Sequence, residues 1–304
     1  MISELPAQQA GEGSRINGAS STRRLDDSAI QAMNGAGATI KDSLSRSARH
    51  GMTLDPFLER GVAMSPDVIA ELAPTGVLRA GINLSNFLLV TGTSPAGDPE
   101  GVAPDMAGEL ARRLGVEVKY VPFKSPGALA DQALAGVWDV GLIGAEPQRA
   151  ETIEFSAAYV EIEATYLVPA GSPLQTIAEV DAAGVRIAVT GRSAYGLWLD
   201  RHVRHAELVR SETLDSAYDA FVRAGLEALA GLRPRLLADA IKLPGARILD
   251  GGFTAVQQAI GTARKNAAGS AFLRRFVEEA KASGLVASLI ARHKVRGLSV
   301  APAA

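Results

Sequence analysis

The chain has 304 residues, 47% of them hydrophobic and 21% charged, with no cysteine and a formal net charge of −2. That length and composition allow more than one lobe and a sizeable core, and they exclude a fibrous or wholly disordered chain, a disulfide framework and thiolate metal sites. A charge so near neutral also argues against a nucleic-acid partner held by bulk electrostatics.

Residues 1–63 stand apart. They hold one aromatic, Phe57, and seven basic against seven acidic residues, amid much Ser, Gly, Ala and Gln. Such a stretch buries too little apolar surface to offset its ordering entropy, so a disordered tail is expected, with at most a short helix over 28–45. No apolar run there has the length of a secretory h-region or a membrane span. Met64 opens a segment that reads as a domain start.

From there strands and helices alternate. A helix over 66–72 ends at Pro74-Thr-Gly76, and a strand over 77–82 runs into a loop carrying Asn83 and Asn86. The helix over 104–114 has Met106, Leu110 and Leu114 at helical spacing and stops at Gly115. Strand 116–121, helix 126–135 and strand 138–143 follow. This βαβαβ order predicts a parallel sheet with right-handed crossovers. Strand 162–168 leads into the turn-rich Pro169-Ala-Gly-Ser-Pro173. A second set succeeds it, with strands 185–189, 207–210, 226–232 and 246–249 alternating with helices 194–205, 214–224 and 235–242. Gly251-Gly252 breaks the pattern, 256–261 reads as a returning strand, and helices 270–281 and 285–291 close the chain.

The chain is organised around Asp139-Val-Gly-Leu-Ile-Gly144-Ala-Glu146-Pro-Gln-Arg149, followed by Phe155-Ser-Ala-Ala-Tyr159. Val140 to Ile143 form a short apolar run opening on Gly144, the pattern of a buried parallel strand ending at a loop. Ligands collect just past such strand ends, and a guanidinium there offers a planar fork suited to a carboxylate or phosphate. The plain alternative is a surface arginine in a strand–helix loop.

The order apolar strand, Gly, polar loop, Arg, then Phe-Ser-x-x-Tyr resembles the family 3 extracellular solute-binding proteins. Leu78-Arg-Ala-Gly-Ile, Gly101-Val-Ala-Pro-Asp105-Met-Ala and Gly184-Val-Arg-Ile-Ala-Val-Thr-Gly191-Arg-Ser193 extend the likeness over residues 76–293. The resemblance implies an α/β fold of type II, two lobes each with a mostly parallel sheet flanked by helices, joined by hinge strands. Residues 64–165 are expected in lobe one, 166–254 in lobe two, and 255–304 in a segment returning to lobe one. It further implies that Arg149 grips a ligand carboxylate, that Tyr159 leads into the hinge, and that Ser193 supplies the lobe-two half of the carboxylate site.

Ser193 reads independently as a helix N-cap, and a helix N-terminus offers free N–H groups to an anion. Gly144, Asn83 and Asn86 lie on the same cleft side as Arg149, although asparagine is also common in turns for local backbone reasons. Arg192 either adds charge to the site or points to solvent. Arg233 follows a strand end where amino-acid-binding relatives usually place an acid, so an ammonium-free anion is the expected ligand class. Glu146 threatens that expectation, because it could neutralise an arginine or bind a cation. His202-x-x-His205 has helical spacing but no third ligand, so no metal is expected, and no cofactor motif occurs.

The resulting expectation is a monomeric solute-binding protein, not an enzyme, that captures a small carboxylated or amino-acid-like ligand for an ABC-type permease. Resemblance implies the periplasm, while the lack of an export signal makes a cytoplasmic ligand sensor the alternative. A cyclohexadienyl-dehydratase-like enzyme on the same fold would need a general acid near the departing hydroxyl. A LysR-like regulator would need an N-terminal helix-turn-helix, for which residues 1–63 lack the apolar periodicity.

Overall fold

A computed structural model describes residues 65–304. The expectations for the 1–63 tail and its 28–45 helix lie outside the described residues.

The elements run α1 (Pro66–Leu72), β1 (Val77–Asn83), β2 (Gly92–Thr93), β3 (Pro99–Glu100), α2 (Val102–Leu114), β4 (Glu117–Phe123), α3 (Pro126–Asp131) and β5 (Val140–Gly144). Then come β6 (Ile153–Val168), β7 (Arg186–Thr190), α4 (Ala194–His202), β8 (Glu207–Ser211), α5 (Leu214–Arg223), β9 (Ala228–Leu232) and α6 (Arg233–Ala240). The chain closes with β10 (Arg247–Ile248), β11 (Thr254–Ala263), α7 (Ala267–Ala282), α8 (Leu285–Arg292) and β12 (Ser299–Val300).

The main strands form one sheet in the order β4-β1-β5-β11-β6-β9-β7-β8, with β10 and β12 added along β6. β1 pairs in parallel with β4 and β5, and β7 pairs in parallel with β8 and β9. Between these blocks β11 runs antiparallel to β5 and β6, and β6 antiparallel to β9. Two parallel blocks bridged by two long antiparallel strands make the expected two-lobed α/β fold. β5 and β9 are buried along their whole length, which explains why both read as unbroken apolar runs.

Each lobe has its own core. In lobe one Leu78, Ile82, Met106 and Leu110 pack with Phe272 and Phe276 of α7, so the C-terminal helices complete this block. In lobe two Ile187, Val189, Leu199, Ala228 and Ala230 form the equivalent cluster. Each fully buried Leu, Ile or Phe contributes about 1.5–3 kcal/mol of transfer free energy.

β6 departs most from expectation. It is a single strand of 16 residues, where the sequence predicts only 162–168. Glu154, Glu161 and Glu163 interrupt its apolar residues, and its partner β11 lies about a hundred positions away. A strand of buried and half-buried residues with so distant a partner has no local signature. Its pairing with β11 shifts register at Gln258/Ala259, and there Ser156 Oγ accepts a hydrogen bond from the Ile260 N–H at 3.1 Å. Such bulges re-aim side chains, and Gln258 is the one turned into the cleft.

Candidate ligand-binding cleft

Parallel strands in both lobes end at the groove between them, so the strand-end rule applies from each side. Residues at or just past the ends of β1, β4, β5, β7, β8 and β9 close around a cavity of about 90 Å³. Asn83, Asn86, Gly144, Arg149 and Ser193 all line it, as the sequence predicts.

Arg149 sits in the short helical turn after β5 and is only 5% exposed. Its Nη1 donates to the Gly144 carbonyl at 2.6 Å and its Nη2 to the Arg192 carbonyl at 2.9 Å. No carboxylate accepts from it among the described residues. Burial pulls its pKa down to about 10, against the opposing field of Glu146. A buried guanidinium holding only two carbonyls lacks a counter-ion, which makes the site attractive to an anion.

Gly144 makes this geometry possible. A Cβ there would lie 2.8 Å from the Cβ of Ala194, 3.1 Å from Val256 Cγ1 and 3.5 Å from Arg149 Nη1. Ser193 caps α4, its Oγ accepting from the Gly196 N–H at 3.0 Å and donating to the Thr190 carbonyl at 2.7 Å. Ala194 and Tyr195, the first residues of α4, line the cavity, so the positive end of that helix faces it. Among the described residues, the buried hydroxyls of Thr190 and Tyr195 have no hydrogen-bond partner. Burial pushes the Tyr195 phenol up, against a pull from the nearby Thr190 and Ser193 hydroxyls.

Asn83 and Asn86 are both buried, and both turn their side-chain oxygen onto their own loop. Asn83 Oδ1 accepts from the Ser85 N–H at 3.2 Å and the Ser85 hydroxyl at 2.8 Å, while Asn86 Oδ1 accepts from the Leu88 N–H at 3.2 Å. The turn reading of these residues therefore holds alongside their place in the cleft.

Three expected site residues stand outside the lining. Arg192 contributes its carbonyl to Arg149, but its guanidinium crosses to lobe one, where it meets Asp131 at 2.5 and 3.0 Å and the Gly127 carbonyl at 3.3 Å. It is therefore neutralised rather than free to meet a ligand. Glu146 is taken by Arg201 of α4 at 2.5 Å, a partner the sequence does not suggest. Arg233 opens α6 and turns to Glu163 on β6 at 2.9 Å and to the carbonyls of Leu249 and Gly251. A carboxylate and two carbonyls that the Thr165 hydroxyl also shares satisfy it there, and the neighbouring residue that reaches the cavity is Leu232. The expectation of a second cation from Arg233 is corrected accordingly.

Sequence reasoning passes over Lys124, Thr190, Tyr195, Glu212 and Gln258, all of which line the cavity. Lys124 and Glu212 lie one residue past β4 and β8, so the strand-end rule marks them too. Elsewhere His202 stacks on Trp198 at 3.8 Å on α4. Among the described residues no group of His, Asp and Glu is placed to hold a metal ion.

Residues 85–295 match the bacterial extracellular solute-binding proteins, family 3. Among solved structures, the chain is similar to the solute receptor for L-cysteine of Neisseria gonorrhoeae, with a TM-score of 0.63 and 18% identity over 77% of this chain and 99% of that one. It is similar to the P235GK mutant of ArgBP from T. maritima, with a TM-score of 0.62 and 22% identity over 75% and 100% of the two chains. It also resembles an ancestral amino acid-binding protein described as a precursor of cyclohexadienyl dehydratase, with a TM-score of 0.60 and 18% identity over 74% and 98%. No curated protein sequence matches.

Proposed function

The chain belongs to the family 3 bacterial extracellular solute-binding proteins, and from that premise we propose that its cleft captures a small carboxylated ligand, with Arg149 as the clamp. The observation that carries this reading is the buried Arg149 guanidinium, which among the described residues hydrogen-bonds two carbonyls and no carboxylate. The dipole of α4 and the capped turn at Ser193 add a favourable field from the opposite lobe. On this reading residues 64–165 and 255–304 form lobe one, 166–254 form lobe two, and rotation about β6 and β11 opens and closes the cleft. The protein works as a monomer outside the cytoplasm and hands its ligand to an ABC-type permease. No described helix is long and apolar enough to cross a membrane.

Solved neighbours hold lysine and L-arginine, which supports a ligand bearing a carboxylate. Binding without chemistry is favoured over dehydration because the carboxylate lining the cavity, Glu212, is exposed at the rim, where it makes a poor general acid.

A thermal-shift screen against small carboxylic and amino acids tests the reading. A ligand at a hundred times its Kd stabilises by about 2.7 kcal/mol, a rise in midpoint of a few degrees. If no acid moves the midpoint, the reading fails.

A further inference from the structure

We propose that the cleft selects acids bearing an oxo or hydroxyl oxygen beside the bound carboxylate, over the corresponding α-amino acids; this rests on Arg149 holding a carboxylate.

The ground is the distribution of donors and charges. The centre of the cleft is built from β1, β5, β7, β9 and β11, and there the buried Asn83, Asn86 and Gln258 line the same cavity as Arg149. No carboxylate lines that buried centre among the described residues. The acid of the cleft, Glu212, follows β8, the outermost strand of lobe two, and is exposed. An α-ammonium sits on the same carbon that bears the carboxylate, so it stays deep in the cleft when that carboxylate is on Arg149. It then meets buried amides and hydroxyls rather than a charge, which is costly for a desolvated cation.

The asparagines sharpen the point. Both oxygens are spent on loop donors, Ser85 and Leu88, which fixes the orientation of each amide. What each asparagine has left for the cavity is its Nδ2 group, a donor with two hydrogens and no partner among the described residues. Arg149 has N–H groups left over as well. A donor-rich pocket of this kind is complementary to several acceptor oxygens close together, which a 2-oxo or 2-hydroxy acid presents and an α-amino acid does not.

Calorimetric titration of the full-length protein with 2-oxoglutarate against L-glutamate, and with pyruvate against L-alanine, tests the proposal. The oxo acid of at least one pair is expected to bind about tenfold tighter or better, the scale of one hydrogen bond to a charged group. Asn86→Asp and Asn83→Asp keep the oxygen that makes each turn while replacing the donor by a carboxylate. With unchanged thermal midpoints, at least one should swing the preference about tenfold toward the amino acid. Equal or tighter binding of the amino acid by the wild type, abolished in Arg149→Ala, overturns this inference and leaves the carboxylate clamp standing. If neither member of either pair binds, and no other acid does, the clamp falls and this inference with it. An oxo-acid preference that neither aspartate variant alters also overturns it.

Discussion

The Arg149 guanidinium donates to the backbone carbonyl of Arg192 across the cleft at 2.9 Å, while the Arg192 side chain reaches back the other way to Asp131. One residue of lobe two thus holds the clamp by its backbone and lobe one by its side chain. Arg192 does so at φ 58°, a left-handed conformation that favours glycine.

That arrangement separates backbone from side chain. The Arg192–Asp131 pair is more than half exposed on both sides, at 60% and 52%, so it contributes about 0–1 kcal/mol. Relief of the positive φ by glycine is worth about 1 kcal/mol. Arg192→Gly should therefore melt at or slightly above the wild-type temperature, and Arg192→Ala below it. Ligand affinity should stay within about threefold in both, because the carbonyl that holds Arg149 remains. A loss of tenfold or more in Arg192→Gly would show that the side chain itself is part of the grip.

Gly144 packs against the first turn of α4 beside the clamp. A methyl group there meets Ala194 at 2.8 Å and Val256 at 3.1 Å, and overpacking of this kind costs about 1–3 kcal/mol. Gly144→Ala should weaken ligand binding about tenfold or more, with a larger radius of gyration in the presence of ligand than the wild type shows. Unchanged affinity would mean that the cleft does not close tightly at this point.

How much of this was legible in the sequence depends on how far each feature reaches. Arg149, Gly144 and Ser193 follow from local patterns: an apolar strand opening on a glycine, and a serine before a helix. Arg233 also sits at a strand end, but strand position places a backbone and not the direction of a long flexible side chain. Its partner Glu163 lies on the hinge strand, 70 positions away. The same holds for Glu146, whose partner Arg201 is 55 positions on. Lys124 and Glu212 obey the strand-end rule, but a charge past an edge strand suits a solvated loop equally well. Gln258 depends on a register shift between β6 and β11, which no local pattern announces.

Arg233 gives a sharp contrast with Arg149. Its pair with Glu163 is partly exposed, at 27% and 43%, and it does not line the cavity. Arg233→Ala should cost about 0–1 kcal/mol in thermal or denaturant stability and leave ligand affinity within about threefold. A large affinity loss with unchanged stability would return Arg233 to the site.

The central claim is that Arg149 is the anion clamp, and calorimetric titration of Arg149 variants tests it most directly. With the acid giving the largest thermal shift, Arg149→Ala should lose about 2–5 kcal/mol of binding free energy. Arg149→Lys should also bind poorly, since a point charge does not reproduce a planar fork of donors. Both variants should keep the wild-type circular dichroism spectrum. Undiminished affinity in Arg149→Ala, with the fold intact, would contradict the account.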